Sequence, residues 1–225
     1  MVTVVMTTYK PSEDAPRYQY AEECLIWLRM NLRCCESIDY HLADDGSPFQ
    51  VELHALARRY NASFTTIKHN GIGASLNAAV AHMSAPWMYT TDDWALEDRL
   101  DLDLPLWLLT QGYDLVRLGP IHPNLRCVTR HHNGMWWLDI DTAYGGFAFA
   151  TRPFLAAPSL VEKVGLFDEG VNAYEAERLY AERCRAHGGV RIAAINLLGP
   201  WNHIGEYEVG NLPVVGDELF QMEKV

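Results

Sequence analysis

The chain has 225 residues, enough to bury the core of one α/β domain and short for two. Its 49% hydrophobic and 21% charged residues are an ordinary globular balance, and its net charge of −11 argues against a nucleic-acid binder, which carries a basic footprint. An acidic protein that binds a phosphorylated ligand must neutralise it locally, with a cation or with backbone N–H groups.

Val2 to Met6 is a short β-branched run that reads as a buried strand ending in Thr7-Thr8-Tyr9. It has no basic n-region, no signal-type apolar stretch and no cleavage site, and no apolar run reaches the length of a membrane span. The expectation is a soluble, cytoplasmic protein. A loop from Lys10 to Arg17 follows, then a helix over Ala21 to Arg33, where Cys24, Leu25, Leu28 and Leu32 recur at helical spacing. Ile38 to Leu42 is a second strand, stopped by Asp44-Asp45-Gly46-Ser47-Pro48. Val51 to Tyr60 reads as a helix and Ser63 to Lys68 as a strand. Ser75 to Met83 reads as a helix and Trp87 to Thr90 as a strand ending at Asp92-Asp93.

Strand and helix thus alternate through the first hundred residues or so, with a polar cluster after each strand. That order predicts a parallel sheet covered by helices, with ligands outside the carboxyl ends of the strands. The second half is less regular. Asp114 to Leu118, Gly145 to Thr151 and Val190 to Ile195 read as strands, and Asn172 to His187 as a charged amphipathic helix. His122 to Asp141 is rich in His, Arg and Trp, and the tail from Gly199 resembles a flap. The five cysteines, Cys24, Cys34, Cys35, Cys127 and Cys184, lack disulfide or zinc spacing and read as reduced thiols.

Several clusters carry chemistry. Asp92 and Asp93 are adjacent carboxylates after an apolar strand, and their repulsion costs on the order of 1 kcal/mol in water and more when partly buried. A divalent cation removes that cost. The alternative is a helix N-cap at the start of Trp94 to Leu100. Asp44 and Asp45 could accept from a base N–H, or simply make a turn. Asn70-Gly71-Ile72-Gly73, running into a helix with Asn77, could present N–H groups to phosphate, although it is neither a dinucleotide fingerprint nor a Walker loop. Glu175 and Glu177 open a helix, where the dipole favours them and where either could act as a general base. His203 is a lone histidine, a type more often structural than a ligand, though a neutral imidazole can bind Mn2+.

Together and in this order, these segments resemble the family 2 glycosyltransferases with the GT-A fold. Val2 to Tyr9 looks like that family's opening strand, Asp44-Asp45-Gly46-Ser47 like its base-binding turn and Thr90-Thr91-Asp92-Asp93-Trp94 like its metal segment. Glu162 to Glu169 matches the segment that precedes the catalytic helix. The resemblance implies a single α/β domain over residues 1–205, with a Rossmann-like, mixed but mostly parallel sheet and helices on both faces. Residues 206–225 would be a C-terminal tail. It implies inverting, hexosyl-type transfer from a nucleotide-diphosphate sugar, UDP-linked by preference, with Mn2+ or Mg2+. The metal ligands would be Asp93, Asp92 and His203, and the base Glu177, with Glu175 as fallback. Donor contacts would come from Thr7, Thr8, Tyr9, Asp44, Asp45, Asn70, Gly71, Asn77 and Asp92. Two positions depart from the family: Thr91 stands where many members have an Asp, and Glu177 replaces the usual Asp.

The acceptor is left open between a carbohydrate, a small aglycone and a modified nucleobase, with contacts expected in His122 to Asp141, whose Arg126, Arg130, His131, His132, Trp136 and Trp137 suit such ligands. Two other functions stay in view. One is a non-catalytic nucleotide-sugar or carbohydrate-binding module. The other is a nucleotidyltransferase, which would normally show a Gly-rich, basic loop where Thr7-Thr8-Tyr9-Lys10-Pro11 stands.

Overall fold

The structure is a computed structural model that describes residues 1–12, 15–81, 83–121, 125–143, 149–195 and 200–204. The tail at 206–225 and most of the strand expected at 145–151 lie outside the described residues.

The first half follows the predicted alternation. β1 (Val2–Thr8) leads to α1 (Arg17–Asn31), the short β2 (Leu32–Arg33) and β3 (Ile38–Asp44). Then come α2 (Gln50–Arg59), β4 (Ser63–Thr66), α3 (Ile72–Val80) and β5 (Trp87–Thr91). α3 begins three residues earlier than its apolar spacing suggests, inside the Gly71-Ile72-Gly73 stretch. The N-cap alternative for Asp92-Asp93 falls, because no helix follows: the chain runs into β6 (Trp94–Leu96) and β7 (Leu100–Asp101).

The second half holds α4 (Asp103–Thr110), β8 (Leu115–Arg117), β9 (Cys127–His132), β10 (Met135–Ile140), β11 (Phe154–Ala156) and α5 (Ser159–Val164). α6 (Ala173–His187), β12 (Ile192–Ala194) and β13 (Trp201–His203) complete it. The His- and Trp-rich segment forms the β9–β10 hairpin. Its two turn residues, Asn133 and Gly134, have φ of 48° and 79°, the pair of positive values that a tight I′-type hairpin needs. α6 is well terminated: Asn172 caps it by accepting from Glu175 N at 2.9 Å, and Gly188 ends it at φ 68°.

Among the described residues, nine strands form one sheet in the order β4-β3-β1-β5-β11-β8-β12-β10-β9. Four of its pairings are parallel and four antiparallel. β4, β3, β1, β5, β8 and β12 all point the same way, and β11 is the antiparallel strand inserted between β5 and β8. The interior follows the two-residue period of β1. Val2, Val4 and Met6 face α1, α2 and α4, while Val5 faces α3, α5 and α6. Helices thus cover both faces of a single core. No helix among the described residues is long and apolar enough to cross a membrane.

Candidate functional site

The register places the polar strand ends in one row. Thr8 pairs with Asp44, Asp44 with Thr66, and Thr7 with Thr91. The ladder then runs one step further, with Asp45 N donating to Thr8 O at 3.0 Å and Asp92 N to Thr7 O at 3.1 Å. The aspartates therefore leave the sheet on either side of β1 at its carboxyl edge, where open α/β sheets bind ligands.

Asp92 and Asp93 differ sharply. Asp92 is buried and both oxygens are engaged: Arg17 donates to Oδ1 at 2.8 Å and Thr8 Oγ1 to Oδ2 at 2.6 Å. The buried thiol of Cys24 bonds its backbone carbonyl at 3.0 Å. Burial, opposed by the Arg17 charge and aided by the Asp93 charge, lifts the Asp92 pKa to about 7. Asp93 is also desolvated, but hydrogen bonds from His203 and Thr91 and the Arg17 charge outweigh that and hold it at about 2. Its Oδ2 lies 3.2 Å from Arg17 and 3.5 Å from His203 Nε2, and Thr91 Oγ1 donates to Oδ1. His203 reaches this place because β13 pairs with β6, His203 opposite Trp94, and Ile204 N donates to Asp93 O at 2.8 Å. The Thr91 hydroxyl thus orients the carboxylate beside it.

At the neighbouring turn the two aspartates again split. Asp44 is fully buried and closes the turn, accepting from Ser47 N, Ser47 Oγ and, at 2.7 Å, Thr66 Oγ1. It presents nothing to a ligand. Asp45 faces the loop after β4, with Asn70 N donating to Oδ1 at 3.0 Å and His69 Nδ1 lying 2.8 Å from Oδ2. The His69 ring stacks on Tyr9 at 4.3 Å and 13°. Asp45, His69 and Tyr9 thus form a flat-faced group beside the carboxylates. A shallow groove of about 420 Å³ lined by Lys10, Tyr18, Gln19, Glu52 and Ala55 adjoins the loop after β1, and it does not contain Asp92 or Asp93.

The glycine loop before α3 packs against protein. A Cβ on Gly71 (φ 86°) would lie 2.8 Å from Val171 O, and one on Gly73 2.0 Å from Asp168 O. These glycines permit close backbone approach to the 168–171 segment. Asn77 is buried and spends its amide there, donating to Phe167 O and Glu169 Oε1 at 2.9 and 2.8 Å and accepting from Phe167 N at 2.8 Å. Asn70 Nδ2 donates to the other oxygen of Glu169 at 3.1 Å. Asn70, Gly71 and Asn77 are therefore placed as a clasp on the segment that leads into α6.

The two glutamates of α6 point to different surroundings. Glu175 is at the helix start and is held by Arg178, whose Nε and guanidinium donate at 2.9 and 2.7 Å. Those bonds lower its pKa. Glu177 Oε1 accepts from Thr151 N at 2.8 Å and from Thr151 Oγ1. Its charge reaches Tyr89 and Arg117. Tyr89, whose hydroxyl lies 3.2 Å from Thr7 Oγ1, feels Asp93, Glu177 and Asp92 together, and burial pushes its pKa well up. Arg117 is buried, and burial and the Arg152 charge lower it to about 10 despite Glu177. The charges of Glu177, Asp92 and Asp93 thus all act on Tyr89, whereas Glu175 pairs with Arg178.

Arg17, His69, Tyr89, Thr151 and Arg117 are the members that sequence reasoning missed. Arg17 carried one signal, since Pro16 before it favours a helix start. The others come together only through the register of the sheet.

No family model and no curated protein matches the sequence. Solved structures do match in fold. S. aureus TarS 1-349 in complex with UDP-GlcNAc aligns at TM-score 0.61 and 15% identity, over 91% of this chain and 59% of that one. The mannosyltransferase PcManGT from Pyrobaculum calidifontis, in complex with GDP-Man and Mn2+, aligns at 0.54 and 16%, over 92% and 58%. Glucosyl-3-phosphoglycerate synthase from Mycobacterium tuberculosis aligns at 0.53 and 17%, over 92% and 72%. The chain spans about three-fifths of the length of the TarS 1-349 chain. Its fold is the GT-A-like fold of these glycosyltransferases.

Proposed function

We propose that the chain transfers a sugar from a nucleotide-diphosphate sugar, with uridine favoured, to a hydroxyl acceptor with inversion. The observation that carries this reading is the Asp93–His203 pair at the end of β5, whose Asp93 acts with Glu177 on Tyr89. Tyr9, His69 and Asp45 would hold the base by stacking and hydrogen bonding.

A carboxylate oxygen and an imidazole nitrogen 3.5 Å apart suit a cation that accepts both donors, which favours Mn2+ over Mg2+. Asp93 and His203 would hold it, and Asp92, the more deeply buried carboxylate, would position rather than ligate. When bound, the cation stabilises charge on the leaving diphosphate. Glu177 supplies the base. Thr151 fixes Oε1, while Oε2 accepts no hydrogen bond from the described residues and is left to take the acceptor proton. The β9–β10 hairpin offers acceptor contacts: its tip lies at the same sheet edge, with Trp136 60% exposed and 4.8 Å from the His131 ring.

Incubating the chain with UDP- and GDP-sugars and Mn2+, and measuring nucleoside diphosphate release, tests the reading. Donor-dependent release supports it; absence of both binding and release across the panel overturns it. One observation favours a second reading, nucleotide-sugar binding without turnover: Arg17 already bonds both carboxylates. Tight donor binding with no release in the same assay would select it.

A further inference from the structure

Cys34 and Cys35 lie at the opposite end of the sheet from the site described above. They precede Ser37, whose carbonyl accepts from Val2 N at 2.9 Å at the start of β1. β1 is seven residues long, so the two ends are roughly 20 Å apart. Their sequence spacing suggests no metal site. The fold adds a third group. β2 pairs with β7, Leu32 opposite Leu100 and Arg33 opposite Asp101, and Leu102 N donates to Arg33 O at 2.9 Å. This brings Asp103, the first residue of α4, beside the cysteine pair. One ligand atom each from Cys34, Cys35 and Asp103 lies within 4.8 Å of the others.

The three groups are held in place. Cys35 N donates to Asp103 Oδ1 at 2.9 Å, Asp103 N donates to Asp101 Oδ1 at 3.0 Å, and Glu36 N donates to Cys34 Sγ at 3.3 Å. Cys35 is exposed, so packing does not account for it. Glu36 holds the Met1 ammonium at 2.7 Å, so the neighbouring positive charge is already neutralised.

We propose that Cys34, Cys35 and Asp103 bind one thiophilic divalent cation of the zinc class, with water in the remaining position, and that the ion staples the β2–β3 connection to α4. Zinc–sulfur bonds of about 2.3 Å put two sulfurs of a tetrahedral site roughly 3.8 Å apart, and the three ligand atoms here lie within 4.8 Å of one another. Binding releases the two thiol protons to solvent and leaves the thiolates on the metal.

The test uses the reduced full chain, freed of metal and titrated with Co2+ and then Zn2+. The expected result is a sulfur-to-cobalt charge-transfer band that saturates at one equivalent and is displaced by Zn2+. Cys34→Ser and Cys35→Ser should each abolish the band. Asp103→Asn, which keeps the acceptor for Cys35 N, should weaken Zn2+ binding at least about tenfold. Cys127→Ser, at an exposed thiol on β9, should change nothing. Zn2+ should also raise the Tm of the wild type more than that of Cys35→Ser. A wild-type chain with no such band overturns the proposal, and so does a band that survives in the Cys34→Ser/Cys35→Ser double variant. Because the band reports sulfur, its outcome is independent of any cation at Asp93 and His203.

Discussion

Arg17, in the first turn of α1, donates to Asp92 at 2.8 Å, so this chain supplies its own counter-charge to a buried carboxylate. Removing one partner of such a pair strands the other. Arg17 is about one-fifth exposed, and Asp92 can take up a proton, so the cost falls below the full 3–5 kcal/mol of a deeply buried pair. Arg17→Met should destabilise the fold by about 1–3 kcal/mol in urea denaturation. In an Asp92→Asn background the same substitution should cost clearly less. If the two changes simply add, the pair is not coupled as described.

Asp93 is the less buried carboxylate of the pair. Asp93→Ala should lose Mn2+ binding by calorimetry and lower turnover about 100-fold or more, with the protein still folded but less stable, since Arg17 and Thr91 lose a partner. His203→Ala should weaken Mn2+ more than Mg2+, because imidazole suits the former. Undiminished turnover in excess EDTA would contradict the metal assignment and would point to Arg17 as the sole charge at the diphosphate.

The group formed by Asp45, His69 and Tyr9 makes a separate expectation. Asp45 holds His69 at 2.8 Å, and His69 stacks on Tyr9, so one substitution disturbs both hydrogen bonding and the stacking face. Asp45→Asn should weaken UDP binding by about 1.5–3 kcal/mol, the value of a charge-assisted hydrogen bond. His69→Ala should weaken it too, with turnover at saturating donor little changed. Calorimetry on the three proteins decides, and equal affinities would remove this group from the donor site.

The pH dependence of stability has a contributor outside the site. His41 sits on β3, with Nδ1 2.7 Å from Ser63 Oγ and Nε2 2.9 Å from Thr65 Oγ1, and burial lowers its pKa below 6.5. The folded state therefore binds the proton less tightly than the unfolded state. The His41 contribution is fully present above 6.5 and is lost as pH falls through that value toward the lower folded pKa. Comparing melts at about pH 8 and about pH 5, wild type should lose more stability than His41→Gln. Equal losses would show that His41 titrates alike in both states.

The legible parts of the chain are those whose signal is local. β1, β3 and β5 are apolar runs ended by polar residues, and α6 carries a cap at Asn172 and a Gly188 stop. The Asp92-Asp93 pair was visible for the same reason. β8 and β12 lie inside the apolar runs Asp114 to Leu118 and Val190 to Ile195 that read as strands, whereas β11 has three residues, too few for any period, so its antiparallel insertion left no sequence mark. Side-chain roles within each pair were also out of reach. Whether Asp44 or Asp45 faces the ligand depends on Thr66 and His69, which a neighbouring strand brings in. The glycines at 71 and 73 looked like a phosphate loop because the backbone they pack against is distant in sequence.

The division between Glu177 and Glu175 gives the sharpest test of the proposed chemistry. Glu177 is fixed through one oxygen by Thr151 and shares Tyr89 with the Asp92-Asp93 end of the site. Glu175 is neutralised by Arg178 at the helix start, where its role is to support the cap and pair with a cation. Glu177→Gln keeps the acceptor for Thr151 but cannot take a proton at neutral pH. It should leave donor and Mn2+ affinity unchanged and lower kcat by about 10²–10⁴-fold, the usual contribution of a general base. Glu175→Gln should change kcat by less than about threefold, since an exposed ion pair contributes little. Thr151→Val removes the hydroxyl that orients Glu177 and should lower kcat by an intermediate factor, with little change in KM. Steady-state rates with separately measured donor constants read all three. A Glu177→Gln protein that turns over at the wild-type rate removes the base from α6. A loss confined to Glu175→Gln would mean that the Arg178 pair opens when the acceptor binds.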